Sequence, residues 1–157
     1  MNITIDTNQS TQIQIVNSLD TTREFGLFLN KIVSSIKMAH WYTQDYNIHK
    51  ILGNLYDNLN NLFDKMQEEI IGTSKTSNVF FPKLNLIVDN IESLENYQDD
   101  QKIINVFDQT KTVLKNLLCS LEFIQYVDTV QSGINNTKEE IISELNKTEY
   151  LLSMIKL

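Results

Sequence analysis

The chain is poor in the residues that break or staple a fold. One proline and four glycines in 157 residues leave few turn makers, which excludes a sandwich of many short strands and favours long helices. A single cysteine excludes an internal disulfide framework and a thiolate metal cluster. Basic residues are scarce as well: 13 Lys and Arg against 20 Asp and Glu give a formal charge of -7. A surface of that sign lacks the basic face that non-specific nucleic-acid binding requires, so no nucleic-acid partner is expected. No run approaches the roughly 18 apolar residues of a membrane span, so no membrane partner is expected either. The N-terminus has no basic segment followed by an apolar block, which predicts no secretory signal and a cytoplasmic location. Neither a glycine-rich phosphate loop nor a nucleophile elbow is present.

What is there is an ordinary globular balance, 41% hydrophobic and 21% charged, in a length that makes one domain able to bury about 70% of its unfolded surface. Residues 1–19 form an N-terminal arm. In it Ile3, Ile5, Ile13 and Ile15 alternate with polar residues at the strand period. The arm reads either as an extended strand added to a neighbour or as a loose terminus.

Residues 20–157 read as helices. The first starts near Asp20 to Thr22, where Thr21 and Glu24 fit a capping box, and carries Phe25, Phe28, Leu29, Ile32, Val33, Ile36 and His40 on one face to about residue 42. After a short connection, residues 43–47, a second helix runs from Ile48 to Ile71 on Leu52, Leu55, Tyr56, Leu59, Leu62, Phe63, Met66 and Ile70, with Gly72 as its stop. Residues 72–99 are less regular; Val79 to Phe81 is a brief apolar run, and Leu84 to Leu94 has room for a short helix. A third long helix is expected over residues 100–129. A last one follows a turn at Gly133 to Asn136, opened by a second capping box of Thr137 and Glu140. The prediction is all-α: a four-helix bundle of two hairpins with a long crossover between helices two and three. A helix of about 25 residues is ~37 Å long, and only a long middle segment can cross that distance.

The chain holds two histidines, His40 at the end of the first helix and His49 at the start of the second. Asp64 and Glu68 follow on the second helix, one turn apart and able to act together. Imidazole and carboxylate are the ligand types of iron, manganese and zinc. Asp64 lies ~22 Å along the helix from His49, so the four cannot meet in one subunit. Two second helices pairing antiparallel about a twofold axis between Tyr56 and Asp57 would bring His49 of one copy to Asp64 of the other, twice over. A metal site here predicts a homo-oligomer through twofold helix-two contacts.

The stretch His40-Trp41, His49 and Asp64-x-x-x-Glu68 resembles the ferroxidase signature of the Dps proteins, the miniferritins of the ferritin-like superfamily. The resemblance is carried by about 30 residues and extends more loosely, as a helix plan, over residues 20–157. Its wording is most similar to ferritin-like proteins of large tailed phages, which would place the protein in the host cytoplasm or the virion. The resemblance implies a ferritin-like four-helix bundle. It also implies iron (Fe2+/Fe3+) bound by His40, His49, Asp64 and Glu68 across a subunit interface, oxidation of Fe(II), and a hollow dodecamer. Three departures are visible. Eight residues separate the histidines, three fewer than the Dps pattern. Gly53 stands where Dps commonly has another acidic ligand. No basic residue precedes Arg23, so the DNA-binding tail of some Dps proteins has no counterpart.

The other chemistry-bearing residues have plain readings: Trp41 as a packing residue beside the metal, Tyr56 as a contact near the axis, Cys119 as a small buried residue. Glu139 and Glu140 suit the start of a helix. Two alternatives to iron binding stay open at this point. One is a non-catalytic ferritin-like scaffold or virion component that grips neighbours through its arm; the other is a helical adaptor whose histidines merely pack.

Overall fold

A computed structural model describes the backbone of residues 4–5, 13–16, 19–74, 79–82, 99–120 and 132–157, and the side chains of 23–72, 99–119 and 133–157. Four helices dominate: α1 (Leu19–Tyr42), α2 (Tyr46–Ser74), α3 (Asp100–Ser120) and α4 (Ser132–Ser153). Three short strands, β1 (Thr4–Ile5), β2 (Ile13–Val16) and β3 (Val79–Pro82), form an antiparallel sheet in the order β1-β2-β3. Of the period-two isoleucines, Ile5, Ile13 and Ile15 lie in strands and Ile3 lies outside the described residues, but β2 finds both partners in its own chain. Its register runs from Ile13 opposite Pro82 to Val16 opposite Val79. The expected strand added to a neighbour is therefore corrected for β2. Pro82, which cannot donate to a ladder, sits on an outer strand as its chemistry demands.

Contacts along the helices fix their directions. A Cβ on Gly26 would lie 2.9 Å from Gln67, and one on Gly53 would lie 2.9 Å from His40, so α1 and α2 are antiparallel and close. Asn58 Nδ2 donates to Glu144 Oε2 (3.0 Å) and Thr137 Oγ1 to Glu69 Oε2 (2.8 Å), which makes α2 and α4 antiparallel. Lys111 bonds Glu149 and Lys115 bonds Asn146, so α3 and α4 are antiparallel too. Hence α2 and α3 point the same way. The start of α3 lies beside the α1–α2 elbow, where Thr43 Oγ1 donates to Asp100 Oδ1 at 2.6 Å.

One apolar cluster joins all four helices: Phe25, Ile32 and Ile36 from α1, Leu52, Leu59 and Met66 from α2, Phe107 and Leu114 from α3, Ile141 and Leu145 from α4. Most residues of the expected stripes are in it. Four boundary readings are corrected. The first helix begins at Leu19, so Thr21 lies within its first turn rather than capping it. The second begins at Tyr46 and continues through Gly72 to Ser74. The fourth begins at Ser132, so Gly133 to Asn136 is helix and Thr137 is an interior, fully buried residue rather than a cap. Glu139 and Glu140 accordingly fall beyond the first turn. Cys119 is partly exposed rather than buried. The expected helix at Leu84 to Leu94 and the end of the third helix near Thr129 lie outside the described residues. Among the described residues, no helix is long and apolar enough to cross a membrane.

The Lys111–Glu149 pair has a pH signature. The hydrogen bond from the buried Lys111 ammonium holds the Glu149 carboxyl below its ordinary value near 4.5. Burial opposes this, and attraction to Lys111 and Lys115 adds to it. A depressed carboxylate stabilises the fold above its unfolded-state pKa and loses that contribution as pH falls through the folded one. Glu149 is 45% exposed, so solvent screens the pair and the effect is small. The melting temperature should therefore slope downward below about pH 4.5, and part of that slope should vanish in Lys111→Met. An unchanged slope in the variant would show that the pair does not titrate as a unit.

Candidate metal site

The elbow that carries the two histidines is built locally. Asp45 caps α2: its Oδ1 accepts from the backbone N–H groups of Asn47 (2.8 Å) and Ile48 (3.0 Å). This is the ordinary N-cap role of aspartate. Asp100 ties the same elbow to α3, accepting from Thr43 Oγ1 and from the Gln44 N–H at 3.2 Å. The last turn of α1 and the first of α2 are thereby held side by side.

His40 and His49 face each other there as a reciprocal pair. His40 Nδ1 lies 2.7 Å from the His49 carbonyl oxygen, and His49 Nδ1 lies 2.8 Å from the His40 carbonyl oxygen. A carbonyl can only accept, so each Nδ1 carries the proton and donates. In a neutral imidazole with its proton on Nδ1, the lone pair is on Nε2. The rings stack with centroids 3.9 Å apart and planes 25° from parallel. A hydrogen bond from the other ring nitrogen to a carbonyl is the arrangement that orients metal-ligating histidines.

Gly53 makes the pair possible. A Cβ at that position would lie 2.9 Å from His40 Cε1 and 3.1 Å from Nδ1. The His40 ring occupies the space a side chain would need. The position that departs from the Dps pattern is, in the structure, the seat of the His40 ring.

Around the pair lies an open groove of about 420 Å³ lined by Lys37, Trp41, Lys50, Tyr56 and Asp57 together with both histidines. The Lys37 ammonium sits 5.1 Å from the ring centroids of both Trp41 and Tyr56, a cation held between two aromatic faces. Trp41 is 58% exposed, so the packing reading is corrected: its described partner is the Lys37 ammonium rather than the core. Sequence reasoning passed over Lys37, whose signal was its position one turn before Trp41.

Asp64 and Glu68 are exposed on the same outer face of α2, toward its other end. Asp64 lines a second groove between α1 and α2, with Asn30, Asn60 and Gln67. The structure brings the two histidines together and keeps them apart from the two carboxylates. Among the described residues of one chain, no group of three or more His, Cys, Asp or Glu side chains could hold a metal ion. His40 and His49 place two imidazoles together, short of such a group. No family model, curated protein or solved structure matches the chain.

Proposed function

We propose that the protein binds iron at sites shared between two copies, in the manner of a Dps-like miniferritin. His40 and His49 come from one copy and Asp64 and Glu68 from the other. The reciprocal hydrogen bonds, which engage Nδ1 of each ring and leave Nε2 uncommitted, carry this reading. Two imidazole nitrogens and two carboxylates are a donor set that iron accepts, and manganese and zinc share it. The oxygens favour Fe(III) over Fe(II), so iron held there is easier to oxidise. The helix directions support a ferritin-like bundle. The segment from the end of α2 to Asp100 returns to the elbow at which α2 began, as a long crossover would.

Native mass spectrometry of the protein loaded with Fe(II) under anoxia tests the reading. An even-numbered oligomer carrying about one or two irons per subunit is expected, with the iron lost in the His49→Ala, Asp64→Ala double variant. Full iron occupancy in that variant would sink the assignment. A metal-free wild-type oligomer would move the protein to the scaffold reading.

A further inference from the structure

The outer face of α2 carries a charge pattern that reads oppositely in its two directions. Lys50 lies seven residues before Asp57 and Asp64 seven after it. Steps of seven drift by only about 20° on a straight helix, so the three stand in one nearly straight stripe at ~10 Å intervals. Tyr46 and Glu68 stand eleven residues either side of the same centre, Asn54 and Asn60 three, Gly53 and Asn61 four. Lys50, Asp57, Asp64 and Glu68 are all exposed, and none has an ion-pair partner among the described residues.

We infer that this face docks antiparallel on the same face of a second copy, with Lys50 of each chain paired to Asp64 of the other. A twofold through Asp57 sets Lys50 opposite Asp64 and Tyr46 opposite Glu68. Both pairs are opposite in charge or able to hydrogen-bond. Parallel docking would set Lys50 on Lys50 and Asp64 on Asp64, which is repulsive. Asp57 meets itself at the axis, a like-charged contact in a groove that the Lys37 cation also lines. The Lys37 ammonium lies over the Tyr56 ring there. Gly53 beside the centre presents no side chain to the approaching helix.

This docking shares its twofold with the proposed iron site and so rests on that reading for its place, but it needs no metal. The axis that joins His49 to Asp64 lies half a residue from the one that joins Lys50 to Asp64, a shift of ~0.8 Å along the helix. One docked pair therefore offers Asp64 to either partner. Lys50 holds the carboxylate in the metal-free assembly, and an arriving metal ion has to displace it.

The test is made in chelator, by sedimentation at micromolar protein. Wild type is expected to self-associate, and Lys50→Glu and Asp64→Lys each to weaken the association by about tenfold or more. Mixing the two variants should restore it as a heterodimer, because both ends of the mixed interface then carry opposite charges. Circular dichroism shows whether each variant is folded, and the milder Lys50→Gln and Asp64→Asn should weaken association to a lesser degree. A mixture no tighter than its components, or a monomeric wild type, overturns the inference. Rescue on mixing with no iron bound by wild type would defeat the iron reading alone. Iron bound between copies with no rescue would defeat this one alone.

Discussion

Alanine at Gly53 should remove the histidine pair while leaving the fold standing. The new Cβ would lie 2.9 Å from His40 Cε1, closer than real Cβ contacts come, and a tight 3.1 Å from Nδ1. Something has to move, and it will be the His40 ring: it is half-exposed at the end of α1, whereas α2 is locked into the core on its other side. Rotating that ring away breaks the bond from its Nδ1 to the His49 carbonyl and undoes the stack. Each lost hydrogen bond costs about 0.5–1.5 kcal/mol. Replacing an interior helical glycine returns about 1 kcal/mol of helix propensity, so the two nearly cancel in stability. They do not cancel at the site, where loss of an orienting hydrogen bond typically costs ten- to a hundredfold in metal affinity. Anoxic calorimetric titration with Fe(II), beside a thermal melt, reads both quantities. Nitrogen-15 shifts of the imidazoles should also show the fixed Nδ1–H form of His40 giving way to a mixture. Unchanged affinity and an unchanged tautomer in Gly53→Ala would mean that the reciprocal pair does not prepare the rings for metal.

That glycine illustrates which parts of the molecule were legible in the sequence. Apolar spacing identified the core because burial acts residue by residue along a helix: of the residues expected on the second helix's inner stripe, Leu52, Leu55, Leu59, Phe63, Met66 and Ile70 are all buried. Helix ends were less legible, because they depend on what the neighbouring helix offers. Thr137 looked like a cap, but Glu69 on α2 accepts its hydroxyl and the helix begins five residues earlier. Gly72 looked like a stop, but glycine only lowers helix propensity, and α2 runs through it for two residues more. Asp45 falls in the expected connection but caps α2, and aspartate followed by a helical stripe is a cap signal in its own right. His40 and His49 were legible as a pair of donors. Their mutual hydrogen bonds were not, because side chains of two helices meeting at an elbow take their orientation from its exact turn. The opposed charges on the outer stripe were present in the sequence, but they acquire meaning only once that stripe is known to be exposed.

Leu59→Ala should be the converse of the Gly53 variant, destabilising the fold and sparing the site. Leu59 is wholly buried on the inner face of α2, which packs against both α1 and α4. Truncating a buried leucine costs about 2–5 kcal/mol, the lost transfer energy plus the cavity left behind. Against a total stability of about 5–15 kcal/mol that is a large fraction. In a chain of this size it corresponds to a melting temperature lower by about 5–15 °C. The carboxylates and His49 are exposed on the same helix, and Leu59 lies ~15 Å along it from His49. Below its own melting transition the variant should therefore bind Fe(II) with wild-type affinity. Differential scanning calorimetry with titration at low temperature separates the outcomes. A variant that melts as wild type would mean that the core relaxes into the space, contrary to close packing. One that is folded in the cold yet loses iron would mean that the inner and outer stripes of α2 are coupled. The two variants together thus measure how independent the face that holds the bundle is from the face proposed to meet a second copy.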